Sequence, residues 1–179
     1  MKHRVIAIIQ ARLQSSRLPN KVLLDINGKP MLWHVVNRLG YCKELDGIIV
    51  AIPKQDHKLH SYLHKKKINH VMGSQDNVLD RYYRAATHTN ADVIVRITGD
   101  CPLIDPKIVD SVVQYYNSHS YDYVCNTSDN KTIYDKIYKD RGAVNWQTLD
   151  GFDVEVLSFV SLYNAHMSAT DKLDLEHVT

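Results

Sequence analysis

The sequence predicts an α/β fold, a mostly parallel sheet covered on both faces by helices. Three observations carry this. Short apolar, β-branched runs recur along the chain, with Val5-Ile6-Ala7-Ile8-Ile9 the clearest. Between them lie segments whose apolar residues repeat at helical spacing. Breakers such as Pro53, Gly73 and Thr98-Gly99-Asp100 close the runs. Strands that alternate with helices give parallel sheets, and right-handed crossovers bring the strand ends to one edge.

The elements follow in order. A first strand is expected over 4–9. A helix over 30–39 shows Met31, Leu32, Val35, Val36 and Leu39 on one face, and Pro30 suits its first position. A strand over 47–52 ends at Pro53, and a polar helix over 56–66 follows. A short strand over 68–72 precedes Gly73. A helix over 77–88 turns Val78, Leu79, Tyr82, Tyr83 and Ala86 inward. The strand over 92–97 ends at Thr98-Gly99-Asp100. Asp105-Pro106 opens another helix, with Asp as N-cap and Pro in the first turn, and Val109, Val112, Val113 and Tyr116 form its apolar face. Strands over 121–126 and 152–157 follow, and Ser158 caps a last helix through 166. Residues 127–150 carry the least pattern and read as an insertion or lid. With no repeat or linker, residues 1–179 read as one domain.

The net charge is +2 with the ten histidines neutral, so no global field calls for nucleic acid. Charge is nevertheless uneven. Residues 1–67 are basic, with only Asp25, Glu44, Asp46 and Asp56 as acids, whereas the second half is acidic. A basic half facing an acidic half suits a phosphate ligand accompanied by a divalent metal. Cys42, Cys101 and Cys125 are odd in number and far apart, which argues against a disulfide framework or a zinc site and makes a reducing cytoplasm the default. The N-terminus runs straight into a strand without a signal peptide. No apolar run approaches the roughly 18 residues that span a bilayer, so no membrane partner is expected.

Three segments carry chemistry. The first strand delivers Arg12, Ser15, Ser16, Arg17 and Lys21 into one loop at the strand's carboxyl end, where open α/β sheets bind ligands. Arginine grips phosphate through two hydrogen bonds and lysine acts as a compact charge. The loop therefore suits a nucleoside triphosphate without a Walker A or GxGxxG sequence, although a solvated surface loop would hold the same cations. In Arg96-Ile97-Thr98-Gly99-Asp100, Gly99 would let a ligand approach the backbone, and Asp100 would hold Mg²⁺ against a phosphate. In Asp150-Gly151-Phe152-Asp153-Val154-Glu155, Asp153 and Glu155 would share one face of a strand. Such a pair is costly unless paired or metal-bound, and an edge strand with one wet face would show the same pattern. His57, His60 and His64 recur at i, i+3 and i+7, a spacing open to Zn²⁺; the neighbouring lysines favour a solvated face. Tyr82-Tyr83 and Tyr115-Tyr116 read as core residues rather than base-stacking ones.

Together these segments resemble the cytidylyltransferases that make CMP-activated acidic sugars, in the branch typified by spore-coat polysaccharide biosynthesis protein F. The resemblance rests on Ala11-Arg12-Leu13-Gln14-Ser15-Ser16-Arg17-Leu18-Pro19-Asn20-Lys21, on Asn77-Val78-Leu79-Asp80-Arg81-Tyr82, on the Arg96–Asp105 and Asp150–Val156 segments, and on Glu176-His177-Val178-Thr179. It implies a three-layer, Rossmann-like α/β/α sandwich of the nucleotide-diphosphosugar-transferase type. It implies transfer of CMP from CTP to a sugar hydroxyl with Mg²⁺, release of pyrophosphate, a role in polysaccharide or glycan biosynthesis, and a homodimer. Ala11, Arg12, Ser15, Arg17, Lys21 and Arg81 would bind the nucleotide; Arg12, Lys21 and Asp100 would be catalytic; Asp100 and Asp153 would hold the metal; Glu155, Glu176 and His177 would lie near the substrate. Gln14 stands where the family usually has glycine, so its side chain would crowd the phosphates or demand another backbone path. Members usually continue past the His-Val-Thr segment, so a C-terminal segment is expected to be missing. A non-catalytic nucleotide-binding or assembly protein, or an enzyme using another triphosphate, would fit the same fold.

Overall fold

The residues of β1 (Val5–Gln10) are almost all buried because the strand is covered on both faces. The computed structural model describes residues 3–15, 17–126 and 151–178. In it β1 pairs in parallel with β4 (Gly47–Pro53) on one side and β6 (Val93–Thr98) on the other. β5 (His70–Gly73) extends the sheet in parallel beyond β4. On the far flank β8 (Glu155–Ser158) runs antiparallel to β6, and β7 (Tyr123–Cys125) antiparallel to β8. The sheet order is β5-β4-β1-β6-β8-β7. Because β8 is reversed, the segment entering it, not the one leaving it, reaches the edge where β1 and β6 end; Arg96 pairs with Glu155 there.

The period of two in β1 divides the core into two layers. Val5, Ala7, Ile9 and Ala11 pack with α1 (Met31–Leu39), α2 (His57–Lys65) and α4 (Pro106–Asn117), through residues such as Leu32, Leu59 and Val109. Ile6 and Ile8 pack with α3 (Val78–Thr89) and α5 (Phe159–Ser168), through Leu79, Tyr82, Ala85 and Leu162. The result is the expected α/β/α sandwich. The expected caps form: Asp105 accepts from Lys107 N and Ser158 from Ser161 N. Asn77 likewise accepts from Asp80 N at 2.7 Å. Among the described residues no helix is long and apolar enough to cross a membrane.

Four features differ from the sequence reading. Pro30 is the N-cap of α1 rather than its first residue, because it also closes a two-stranded hairpin, β2 (Asp25–Ile26) with β3 (Lys29–Pro30). Asn27 and Gly28 turn that hairpin at φ 50° and 80°, the type I′ geometry that Asn-Gly favours. A short helix, α6 (Lys172–His177), is capped by the Asp171 side chain. β8 begins only at Glu155, so Asp153 precedes the strand and the expected two-carboxylate strand face does not form. The side chain of Asn126 stands in for a neighbouring strand there: Nδ2 donates to Phe152 O and Oδ1 accepts from Val154 N, both at 2.8 Å. The insertion or lid over 127–150 lies outside the described residues, as does Ser16.

Gly99 explains how the two central strand ends meet. Its N–H donates to Gln10 O at 2.9 Å. A Cβ at this position would lie 2.8 Å from that carbonyl oxygen and 3.1 Å from Ala11 Cβ. The chain's own backbone, not a ligand, therefore occupies the space that glycine leaves. Gly99→Ala is expected to lower stability by about 1–3 kcal/mol, as overpacking in a close-packed site does. Urea denaturation checks this, and an unchanged midpoint would contradict it.

Candidate active site

A cleft of about 210 Å³ opens at the edge where β1 and β6 end. Ala11, Arg12 and Lys21 line it from the loop after β1, and Thr98, Gly99 and Asp100 from the tip of β6. Gln10, Val22, Val78, Arg81 and Glu176 complete the wall. Residues far apart in sequence thus meet because parallel pairing sets Gln10 beside Thr98.

The loop after β1 is held from three directions. It closes on itself where Asn20, left-handed at φ 58°, donates its N–H to Leu13 O at 2.8 Å. Leu13 N donates to the buried carboxylate of Asp56 at 2.7 Å. Gln14 accepts from Gln75 Nε2 at 3.0 Å. That bond takes the Gln14 side chain towards the loop before α3, and Gln14 is not among the cleft's lining residues. Ser15 uses its hydroxyl to accept from Leu18 N at 3.3 Å, which shapes the turn. Arg17 is exposed.

Lys21 begins a 3₁₀ turn, Lys21–Leu23, and its ammonium donates to Asp100 Oδ2. Burial alone would raise the Asp100 carboxyl. Hydrogen bonds from Lys21 and the Thr98 hydroxyl, with the charge of Lys21, reverse this and hold it below its ordinary value. The site therefore contains an anionic oxygen ligand with a cation already on it. Arg12 reaches Glu176 Oε1 on α6 at 3.8 Å, which brings two more of the expected residues together. His177 closes the same short helix.

Arg81 is 2% exposed. Its NH1 donates to the carbonyls of Ser74 and Gln75, the latter at 2.9 Å. Burial pushes the guanidinium pKa down, and nearby Arg12 adds to the effect. Glu155, expected near the substrate, is ion-paired with Arg96; both side chains are 13% exposed and neither lines the cleft. Arg96 also lies 5.9 Å from the centroid of the Tyr82 ring. Asp153 is half-buried and outside the lining residues. Among the described residues no three His, Cys, Asp or Glu side chains are grouped to hold a metal. The histidine face on α2 accordingly makes ring contacts, His60 lying 5.0 Å from His70.

Sequence reasoning missed Asp56, Gln75 and Asn126 as site supports. Asp56 looked like a helix start. It occupies the N-cap position of α2 but makes no side-chain cap bond, because its carboxylate serves Leu13 instead.

The Lys21–Asp100 pair has a pH signature. The ordinary carboxyl value is 3.8 and the folded value lies below it. A depressed folded value gives stability that is complete above the ordinary value and is lost as pH falls through the folded one. The stability gap between the native protein and Asp100→Asn is expected to hold constant from neutral pH to about pH 5 and to shrink in stronger acid. Urea denaturation across pH checks this; a gap closing above pH 5 would contradict it.

A family profile described as cytidylyltransferase matches residues 6–151. Uncharacterized protein MJ1063 of Methanocaldococcus jannaschii is 38% identical over 98% of this chain and 65% of its own length. Spore coat polysaccharide biosynthesis protein SpsF of Bacillus subtilis is 33% identical over 66% of this chain and 52% of its own. A 3-deoxy-manno-octulosonate cytidylyltransferase of Oleidesulfovibrio alaskensis is 37% identical over 60% and 44%. The chain thus spans about half to two thirds of the length of these relatives. The solved structure of a cytidylyltransferase from Leptospira borgpetersenii superposes with a TM-score of 0.84 at 26% identity, over 99% of this chain and 69% of that one. With the sheet order, the cleft at the strand ends and the profile match in agreement, the chain belongs to the cytidylyltransferase family.

Proposed function

We propose that this chain transfers CMP from CTP to a hydroxyl of an acidic sugar and releases pyrophosphate, in the synthesis of a surface polysaccharide or glycan. The observation that carries the reading is the Lys21–Asp100 pair in a cleft at the carboxyl ends of β1 and β6, with Arg12 beside it. The relative named for 3-deoxy-manno-octulosonate supports the acceptor class, and the one named for spore coat polysaccharide biosynthesis supports the pathway.

In this reading the sugar hydroxyl attacks the α-phosphorus in line with the departing pyrophosphate. Such transfer depends on positioning and charge stabilisation rather than covalent help from the protein. Arg12, Arg17 and Lys21 offset the charge that builds on the leaving pyrophosphate. Ser15 holds the turn that aims Arg17 and Lys21, and the backbone at Ala11 borders the nucleotide. Arg81 holds the loop before α3 and faces the nucleotide from that side. Glu176 and His177 are the residues this reading gives to the acceptor.

The donor chemistry fits Mg²⁺. Asp100 offers a hard, anionic oxygen to the cleft and already attracts the Lys21 ammonium. Mg²⁺ is ordinarily bound through one or two carboxylates plus substrate phosphates, so a grouped set of protein ligands is not required. Asp100 would hold it, with Asp153 delivered by the segment entering β8. When bound, the ion would polarise the α-phosphate and lower the pKa of the attacking hydroxyl.

Thermal unfolding with CTP, UTP, GTP, ATP and dTTP, each with and without Mg²⁺, tests the reading. CTP with Mg²⁺ at about 100 times its dissociation constant is expected to add roughly 2.7 kcal/mol. Selectivity for another triphosphate would replace the substrate, and no rise with any of them would overturn nucleotide binding. Asp100→Asn is expected to cost about 10²–10³ in turnover, as loss of a transition-state electrostatic group does. Near-native pyrophosphate release from a folded variant would remove Asp100 from the chemistry.

A further inference from the structure

Asp100 stands on a turn that is anchored at both ends. The near anchor is the Gly99 N–H on Gln10 O. At the far end the turn closes on itself, Ile104 N donating to Cys101 O at 3.1 Å. The Ile104 side chain is fully buried in the layer that holds Leu32 and Leu39 of α1. The residues that follow are poor in donors for its carbonyl. Pro106 has no N–H, and Lys107 N is taken by the Asp105 carboxylate at 2.8 Å. A buried carbonyl left without a donor costs free energy. Here the donor comes from another element. Arg38, in the last turn of α1 and 66 residues away, donates Nε–H to Ile104 O at 2.5 Å.

Neighbouring contacts hold α4 rather than the turn. Asp110 accepts from Lys43 N at 2.9 Å and from Glu44 N at 3.0 Å, and Gln114 donates to Glu44 at 2.8 Å. Those bonds meet the body of the helix, whereas Arg38 meets the segment that carries Asp100. Arg38 is not among the cleft's lining residues, so its effect on the site passes through that segment. The Asp100 carboxylate is met by the Lys21 ammonium and the Thr98 hydroxyl. Thr98 ends β6 and Lys21 begins a 3₁₀ turn on the other loop. Both are fixed points that a displaced turn would miss.

We propose that Arg38 is a positioning residue for Asp100. Its hydrogen bond to Ile104 fixes the far end of the turn, and so sets where the carboxylate meets Lys21 and a metal-bound nucleotide. This inference rests on the nucleotidyltransferase reading for the metal and the nucleotide. The pairing of Asp100 with Lys21 is a property of the protein alone, which lets the two be tested apart.

Two replacements separate the donor from the bulk of the side chain. Gln places Nε2 where arginine has Nε and keeps the donor, whereas Met reaches as far and has none. Urea denaturation of the full chain, Arg38→Met, Asp100→Asn and the double variant at neutral pH is read as a cycle. Asp100→Asn is expected to cost less in the Arg38→Met background, by at least about twofold in the unfolding equilibrium constant, the lower end of coupling within one network. In Arg38→Gln that cost is expected to keep its native size, which decides the matter even if Arg38→Met does not fold. An arginine that only stabilises the fold would leave the cost the same in the native and Met backgrounds, and that result, or loss of the cost in the Gln background, would overturn the proposal. Dissociation constants for CTP with and without Mg²⁺ carry the test to the ligand. Arg38→Met is expected to weaken CTP binding roughly tenfold with Mg²⁺, the worth of one hydrogen bond, and to leave it unchanged without. Arg38→Gln is expected to bind as the native chain does. Weakening by the same factor with and without Mg²⁺ would overturn the route through Asp100. A native chain that binds no CTP would overturn the nucleotide reading, while the urea cycle still decides whether Arg38 positions Asp100.

Discussion

The Gly99 N–H donates to the Gln10 carbonyl where β1 and β6 end, and the rest of the site depends on that approach. It sets the tip bearing Asp100 against the loop bearing Arg12 and Lys21, two segments that share no local sequence. A side chain at residue 99 would push the strand ends apart. The register that pairs Val5 with Val93 and Gln10 with Thr98 carries the same alignment down into the core. Burial on both faces holds that register, because a slip of one residue would turn every apolar side chain of β1 to the wrong layer.

Polar contacts between distant loops refine what the sheet aligns. Asp56 holds Leu13 N and Gln75 holds Gln14, so the loop after β1 is braced from the ends of β4 and β5 as well. Arg96 and Glu155 neutralise one another beneath α3, where an unpaired charge would be costly. Asn126 hydrogen-bonds on both sides of Asp153. Each brace spends a polar side chain on shape, leaving Arg12, Lys21 and Asp100 to face the cleft.

The sheet and its helices were legible because their signal is local. The unbroken apolar run of β1 and helical spacing in α1, α3 and α4 can be read in a short window, and the capping residues Asn77, Asp105 and Ser158 mark their own helices. The Asn27-Gly28 hairpin was also written locally, but its strands are too short to show alternation. The site was half legible. The sequence named Arg12, Lys21, Asp100, Arg81 and Glu176, all of which line the cleft. It could not show that Asp56 would serve a backbone N–H 43 residues away, or that Glu155 would be drawn to Arg96 instead of to the substrate side. Such pairings are decided by which strands become neighbours, and no window along the chain contains both partners.

The pairing of Lys21 with Asp100 also describes the resting protein. Two charges that line the cleft are short-circuited through each other. An incoming anion competes with a carboxylate for the lysine, and an incoming cation competes with the lysine for the carboxylate. Each arrival releases the partner that the other needs. Thermodynamic linkage then makes an anion and a cation assist one another's entry, while either alone must break a bond that the protein has already made.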